Sequence, residues 1–158
     1  MTTFTGSHEH RIDGKGRVSL PSDFRQVLGE LGGVGLLFIV PGMSDPSALT
    51  VLPPGAYADL QQWHKDQQYA SKRVRQYMTK KILGDVRRVT LDPGGRMVIP
   101  PVFRELLGED PEVMFIGADK GFEIWSAAAR AEFVRLLDAD VAELPEEDVP
   151  DFDLGSML

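Results

Sequence analysis

The chain has no cysteine among its 158 residues, which excludes disulfide bonds, thiolate metal sites and cysteine nucleophiles. It also lacks any apolar run approaching the roughly 18 to 20 residues of a membrane span. The longest such run, Val34 to Val40, suits a buried strand. The first residues, MTTFTGSHEH, do not follow the basic, apolar and small-residue order of a signal peptide. These absences predict a soluble cytoplasmic protein without a membrane partner.

Signatures of catalysis and of cofactor binding are missing as well. There is no Gly-x-Ser-x-Gly motif, and the Gly14 to Arg17 turn lacks the spacing of a phosphate-binding loop. His8 and His10 alternate and would share one face of a strand, but His64 is the only other histidine. We therefore predict no enzyme, no cofactor, no metal site and no small-molecule substrate.

Charge is distributed unevenly along the chain, whose net charge is −7. Residues 1 to 90 carry 12 basic against 8 acidic side chains, whereas residues 91 to 158 carry 5 against 16. The segment from Lys72 to Arg88 is strongly basic, and no basic residue follows Leu137, where acids run from Asp138 to Asp153. An acidic total therefore does not exclude nucleic acid as a partner of the first part of the chain.

The most informative feature is an internal repeat. The stretch from Ile12 to Gly29 recurs from Leu91 to Gly108 at a constant offset of 79 residues, with eight of 18 positions identical. The identical pairs are Asp13/Asp92, Gly16/Gly95, Arg17/Arg96, Pro21/Pro100, Phe24/Phe103, Arg25/Arg104, Leu28/Leu107 and Gly29/Gly108. Most of the other positions exchange one aliphatic residue for another, so the chain contains two copies of one unit.

Each copy has the pattern of a tight turn, a strand and a short helix. Aspartate favours entry into the turn and glycine supplies the positive φ that the turn needs. Val18 and Leu20 alternate with polar residues, and a proline follows as in the first turn of a helix. Two further strands and a helix follow in each copy, with helices predicted over 56–69, 71–83 and 127–137. One copy buries too little surface to stand alone, so we expect the two to share a core.

This pattern, Asp-x-x-Gly-Arg, an apolar strand, proline and then Phe-Arg before a capped helix, occurs twice and resembles the MraZ family. The resemblance covers about residues 4 to 137. It implies an α+β fold of two AbrB-like swapped-hairpin units forming a small pseudo-twofold β-barrel with flanking helices. The expected divisions are a first unit at 7–55, connecting helices at 56–85, a second unit at 86–129, and a helix end with the acidic tail at 130–158.

The resemblance also implies a function and a location. The family regulates transcription at the bacterial division and cell-wall gene cluster, so the expected partner is double-stranded promoter DNA carrying short repeats. Family members assemble into rings, which implies a homo-oligomer that represses by blocking polymerase in the nucleoid. A second hypothesis of a different class is a protein-binding assembly or antitoxin-like module with the same fold.

The candidate DNA-binding residues lie at the two turns. They are Arg17, Lys15, Arg11 and Arg96. The planar guanidinium of the arginines suits phosphates and guanine edges, and Lys15 adds a third cation to Arg11 and Arg17 within seven residues of the first hairpin. Asp13, Gly16, Asp92 and Gly95 are predicted to shape the turns. An alternative for each arginine is an ion pair with the aspartate four residues earlier, and the two roles are compatible. For Arg25 and Arg104 we favour salt bridges on a helix surface or contacts between subunits.

Overall fold

A computed structural model describes residues 2–33, 35–151 and 155. The chain divides into two compact units, Met1–Ala127 and Ala128–Leu158. The first unit contains both copies of the repeat, and the second contains most of the last helix and the acidic segment. None of the helices in the described residues combines the length and the hydrophobicity that a membrane crossing requires.

The first copy contains four strands and one short helix. Strands β1 (Ser7–Arg11) and β2 (Arg17–Ser19) flank the first turn, and helix α1 (Ser22–Glu30) begins directly after Pro21. Strands β3 (Leu36–Pro41) and β4 (Ala48–Leu52) follow. The strand predicted from Val34 therefore begins at Leu36, and Val34 itself lies outside the described residues.

Two helices and a π-helical turn connect the copies. They are α2 (Pro54–Asp66), α3 (Lys72–Thr79) and the π turn Lys80–Gly84. The helix predicted over 56–69 thus begins two residues earlier, at Pro54, and ends three residues earlier, at Asp66. The one predicted over 71–83 changes its winding at Lys80, where hydrogen bonding passes to the wider π pattern.

The second copy repeats the order of the first. Strands β5 (Arg87–Thr90) and β6 (Arg96–Val98), helix α4 (Pro101–Leu107) and strands β7 (Glu112–Ala118) and β8 (Gly121–Ser126) succeed one another. Helix α5 (Ala127–Ala142) follows β8 directly. Pro21 and Pro100 occupy the N-cap positions of α1 and α4, where a missing backbone N–H costs nothing.

The strands of the two copies are interleaved. Six of them form one antiparallel sheet in the order β1-β7-β8-β4-β3-β5, and β2 pairs with β6 in a separate two-stranded ribbon. The first strand of each copy thus pairs with the third strand of the other, β1 with β7 and β5 with β3. These pairings are equivalent when the copies are exchanged, as a pseudo-twofold relation requires.

One core is shared by both copies, and its centre is aromatic. Phe24 of the first copy lies with its ring centroid 4.9 Å from that of Phe122 and 6.4 Å from that of Phe115 in the second. Val18 and Met97, which face each other across the ribbon, are both buried in the same cluster. Folding of either copy therefore depends on the other.

The α+β class is confirmed, but the predicted barrel is not. Among the described residues the six-stranded sheet is open, with β1 and β5 at its two edges and no ladder joining them. The ribbon of β2 and β6 is hydrogen-bonded separately. The turns after β1 and β5 direct the backbone out of the large sheet, so β2 and β6 pair with each other instead of extending that sheet.

The unit Ala128–Leu158 contains most of helix α5 and one further short helix. Helix α5 runs to Ala142, five residues beyond the predicted end at Leu137, and a short 3-10 helix covers Glu146–Asp148. No residue of α5 is buried. Asp153, the last acid of the predicted acidic run, lies outside the described residues.

Candidate nucleic-acid interface

The first turn is organised by the carboxylate of Asp13. Its Oδ1 accepts hydrogen bonds from the backbone N–H groups of Lys15 and Arg17, each at 2.9 Å, and its Oδ2 accepts one from Nε of Arg17 at 2.8 Å. The backbone carbonyl of Asp13 accepts from the N–H of Gly16 at 3.0 Å. Gly16 has φ +80°, a conformation that side chains with a Cβ rarely adopt.

The second turn has the same geometry. Asp92 Oδ1 accepts from the N–H groups of Gly94 at 2.8 Å and Arg96 at 3.0 Å, and its Oδ2 accepts from Nε of Arg96 at 3.0 Å. Gly95 has φ +79°. Both readings considered for each arginine are therefore compatible with the structure: its Nε is tied to the aspartate, and the end of the guanidinium remains available.

These contacts favour the ionised aspartates. The backbone N–H of Arg17 is the largest cause that lowers the pKa of Asp13 to about 2, with the Arg17 side chain and the N–H of Lys15 adding to it. The pKa of Asp92 is also lowered, chiefly by the backbone N–H of Arg96. Each turn therefore holds a carboxylate near neutral pH and fixes the arginine beside it.

The ribbon of β2 and β6 carries both arginines on its solvent side. Arg17 lies opposite Val98 and Ser19 opposite Arg96, while Val18 and Met97 point into the core. The Arg17 and Arg96 side chains are 35% and 45% exposed. Within the described part of the chain, their terminal Nη1 and Nη2 atoms make no hydrogen bond. The ribbon thus presents two oriented guanidinium groups on one face.

Each copy also supports the turn of the other. The carbonyl of Gly95 accepts a hydrogen bond from the N–H of Leu20 at 3.0 Å, and the carbonyl of Gly16 accepts one from Ile99 at 2.9 Å. A Cβ on Gly16 would lie 3.0 Å from Nη1 of Arg104, and a Cβ on Gly95 would overlap the Arg25 side chain. Only glycine lets these arginines lie so close to the opposite turn.

Arg25 and Arg104 were expected on a helix surface in salt bridges or subunit contacts. Both are exposed on the first turns of α1 and α4, but neither forms an ion pair among the described residues. Instead they add a cation beside Gly95 and Gly16, respectively. The sequence signal that could have revealed this was their identity in both copies at constant distance from the turn glycines.

The remaining predicted DNA-binding residues differ in their surroundings. Lys15 is exposed at the tip of the first turn and has no acidic partner in the described residues. Arg11 lies in β1 opposite Glu112, with Nη1 3.6 Å from the carboxylate, and both side chains are at least half exposed. Glu112 therefore offsets part of the positive charge of Arg11.

The two N-terminal histidines share one face of β1, as their alternation predicts. His8 packs edge-on against Phe24 and His10 against Phe115. Burial is the largest cause that lowers the pKa of His10, and the charges of His8 and Arg25 lower it further. In the residues that the structure describes, no three histidine or acidic side chains form a group able to hold a metal ion.

Comparison with known proteins agrees with this pattern. The chain matches a sequence model described as "MraZ protein, putative antitoxin-like" over residues 3–43 and 82–150, ranges that include both Asp–Arg turns. Residues 44–81, which contain β4, α2 and α3, lie outside the matched ranges.

Related sequences cover most of the chain. A protein of Alcanivorax borkumensis named "Transcriptional regulator MraZ" is 30% identical over 143 residues, which is 90% of this chain and 94% of that protein. Proteins with the same name from Parvibaculum lavamentivorans and Kocuria rhizophila are each 32% identical, over 133 and 147 residues. They cover 84% and 93% of this chain, and 81% and 97% of their own lengths.

The names of these relatives are those of regulators of transcription and not of enzymes, which is consistent with the predicted class. The duplicated Asp–Arg turn, the match over both copies and the near full-length relatives lead to one assignment. The chain belongs to the MraZ family.

Proposed function

We propose that this protein is a sequence-specific DNA-binding transcriptional regulator that acts as an oligomer and contacts DNA through the ribbon of β2 and β6. The observation that carries the proposal is the pair of guanidinium groups, each held through Nε by an aspartate on one exposed face. The names of the relatives support the regulatory role.

The geometry of the ribbon suits the major groove of DNA. A two-stranded β-ribbon fits within that groove, where guanine offers its O6 and N7 atoms as acceptors. An arginine whose Nε is occupied by a carboxylate can still donate both Nη groups to such a pair of acceptors. Arg17 and Arg96 are therefore the proposed base-reading residues, with Asp13 and Asp92 as their positioning partners.

Other cations around the ribbon are proposed to contact phosphates. Lys15 and Arg11 flank the first turn, and Arg104 and Arg25 lie beside the two turn glycines. A handful of phosphate contacts in one monomer binds weakly at physiological salt. Binding of several subunits to spaced repeats would raise the affinity by orders of magnitude through effective concentration.

The proposal also includes the division of the chain into units and their assembly. The interleaved strands support two AbrB-like swapped-hairpin units at 7–55 and 86–129, joined by helices at 56–85 and followed by a tail at 130–158. We further propose assembly into a ring, binding to short promoter repeats at the division and cell-wall gene cluster, repression through blocked polymerase, and location in the nucleoid.

The test is fluorescence anisotropy with labelled DNA from upstream of the protein's own gene, with scrambled DNA of equal length and a salt series. We expect tight binding to the native sequence and a strong salt dependence. Arg17→Ala should weaken binding to the native sequence more than binding to the scrambled DNA, whereas Arg17→Lys should retain salt-dependent binding but lose part of the preference for the native sequence. Circular dichroism verifies that each variant is folded.

Arg135→Ala is the matched control, because Arg135 is also held by a carboxylate, that of Glu132 at 2.6 Å, but on α5. It should bind both DNAs as the wild type does. Equal and weak binding of the wild type to both DNAs would reject the proposal. The protein-binding or antitoxin-like hypothesis would then become the better explanation.

A further inference from the structure

Helix α3 is almost entirely exposed. Every residue from 71 to 77 is exposed, and α3 has no buried residue. Its N-cap is Ser71, whose hydroxyl accepts a hydrogen bond from the N–H of Val74 at 3.1 Å. Arg75 donates to the carbonyl of Gln67 at 2.6 Å and lies 5.0 Å from the centre of the Tyr69 ring. Thr79, at its end, contacts the ring of His64 at 3.0 Å. An isolated helix of eight residues is marginal in water, so this one is expected to gain from a partner.

The outer side of α3 combines apolar and basic side chains. Val74 and Tyr77, three residues apart on one side of the helix, are 42% and 57% exposed. Arg73 lies four residues before Tyr77 on the same side, and Lys72 and Lys81 add positive charge at the start of α3 and just beyond its end. None of these three cations has an acidic partner among the described residues. We call Lys72, Arg73, Val74, Tyr77 and Lys81 the basic face. Lys81 already lies 5.6 Å from the centre of the Tyr77 ring.

Helix α5 and the two residues after it, Glu143 and Leu144, combine apolar side chains with acidic ones. Val134, Leu137, Val141 and Leu144 recur at helical spacing and are all exposed, by 37% to 49%. The carbonyl of Val141 accepts from the N–H of Leu144 at 3.1 Å, so the helical course extends to Leu144. Asp138, Asp140 and Glu143 lie among them and form no ion pair in the described part of the chain. We call this set the acidic stripe.

We propose that the basic face of one molecule binds the acidic stripe of a second copy of this chain. The charges are opposite, and each surface has an exposed apolar row that the other could cover. The phosphate backbone of DNA would match the cations but would leave Val74 and Tyr77 uncovered. This inference rests on the self-assembly part of the proposed function and names the surfaces that produce it.

The two surfaces are different parts of the same chain, so the contact is heterologous. Each molecule offers one basic face and one acidic stripe, and every bound molecule leaves one of each for the next. Such head-to-tail contacts close into a ring when the rotation between neighbours permits it. The contact is also expected to weaken with salt, because its charges are exposed.

Analytical ultracentrifugation of charge-reversed full-length chains tests the proposal. Lys72→Glu/Arg73→Glu makes the basic face acidic, and Asp138→Lys/Asp140→Lys makes the acidic stripe basic. Each variant should sediment mainly as a monomer at concentrations where the wild type is assembled. Glutamate in the first turn of α3 and lysine in the last turns of α5 suit the helix dipoles, so both helices should be retained.

Mixing the two variants provides the decisive measurement. In the mixture, the unchanged acidic stripe of one meets the unchanged basic face of the other, and the two reversed surfaces are complementary as well. Assemblies should therefore form again in the mixture and in the quadruple variant. Continued monomers in the mixture would overturn the proposal, because the mixture restores opposite charges across the proposed contact.

Lys65→Glu/Lys120→Glu is the matched control, with the same change in net charge at two exposed lysines outside both surfaces. It should assemble as the wild type does. Full assembly of the Lys72→Glu/Arg73→Glu variant would reject the interface and leave the DNA-binding proposal intact. If that variant assembled fully but bound DNA more weakly, the basic face would be a DNA contact and not a subunit contact. A wild type that is monomeric at micromolar concentration would instead reject the self-assembly part of the proposed function.

Discussion

The two Asp–Arg turns have the same backbone and different charge. In both, one aspartate accepts two backbone N–H groups and the Nε of an arginine, and a glycine near φ +80° closes the turn. The first turn has Lys15 at its tip, whereas the equivalent residue of the second is Gly94. Arg11 precedes the first turn, and its counterpart in the second copy is Thr90.

This comparison separates what makes the turn from what makes the surface. The residues that are identical in the two copies are those whose side chains or φ angles define the geometry. Within the turns, the positions that differ are Gly14/Pro93 and Lys15/Gly94, and all four residues are exposed, so a change of charge there does not disturb the fold. We therefore expect both turns to be equally well formed and the first to contribute more to DNA binding.

Removal of each arginine should have the largest effect. Arg17→Ala should cost about 1 to 3 kcal/mol of binding free energy, roughly 5- to 150-fold in affinity for the native DNA. Arg96→Ala should cost less, because fewer cations support that side of the ribbon. Anisotropy titrations of the two variants at one salt concentration measure the difference. Equal losses would show that the extra positive charge at the first turn does not increase the contribution of Arg17 to DNA affinity.

The turn glycines should affect stability next. Gly16→Ala and Gly95→Ala should each lower the free energy of unfolding by about 1 to 2 kcal/mol, because alanine is strained at positive φ. Gly95→Ala should be the more severe, since its Cβ would overlap Arg25 more closely than that of residue 16 would approach Arg104.

Urea denaturation measures both glycine variants. Gly14→Ala is the control, because Gly14 has no positive φ and a Cβ there would meet nothing within 4 Å. It should leave the midpoint nearly unchanged. A similar loss for Gly14→Ala would mean that neither the positive φ nor the approach of the opposite arginine explains the effect.

Exchanging the residues at the turn tips, Lys15 and Gly94, should change DNA binding by less than removal of an arginine does. Lys15→Gly should lower the magnitude of the log–log salt slope of DNA binding by about 0.9, the value for one phosphate contact. Gly94→Lys should raise it by a similar amount if the second turn also faces DNA. The first turn demonstrates that this backbone accepts lysine at that place. An unchanged slope for Gly94→Lys would indicate that the second tip points away from DNA.

The smallest effect concerns protonation of the turns. The pKa of Asp13 is lowered in the folded state to about 2, so its stabilising contribution is present above its ordinary pKa of 3.8 and is lost as the pH falls through about 2. NMR titration of the Asp13 carboxyl should give a midpoint near 2. Arg17→Ala should move it towards 3.8, and an unmoved midpoint would leave the backbone N–H groups as the whole cause.

The repeat made much of the local structure predictable. Aspartate, glycine and proline have strong local preferences, so the turns and the starts of α1 and α4 followed from residue type. The Asp13–Arg17 ion pair was considered as an alternative to DNA contact by Arg17, and the structure contains it. Helix ends were less accurate, as at Asp66 and Ala142, because the residues beyond them have weak preferences.

Pairing between distant strands was harder to predict. Interleaving of the copies was expected from the repeat, but the open sheet and the separate ribbon were not, since an apolar and polar alternation does not specify a neighbour. Arg25 and Arg104 lie on exposed helix surfaces as expected, but their contacts with the opposite turns were not predicted. Their contact with the opposite turn joins residues about 70 and 90 positions apart in the sequence, and no local pattern reports it.

The sequence by itself determined the duplication, the two Asp–Arg turns, the α+β class and the family of this protein. These depend on residue identity and short-range geometry. Only the tertiary structure decided that β2 and β6 pair with each other, so that Arg17 and Arg96 share one exposed face. It also decided that each turn lies against an arginine of the other copy. The physical reason is the shared core: neither copy can bury its apolar face alone, and burial of Val18 against Met97 brings the two turns together.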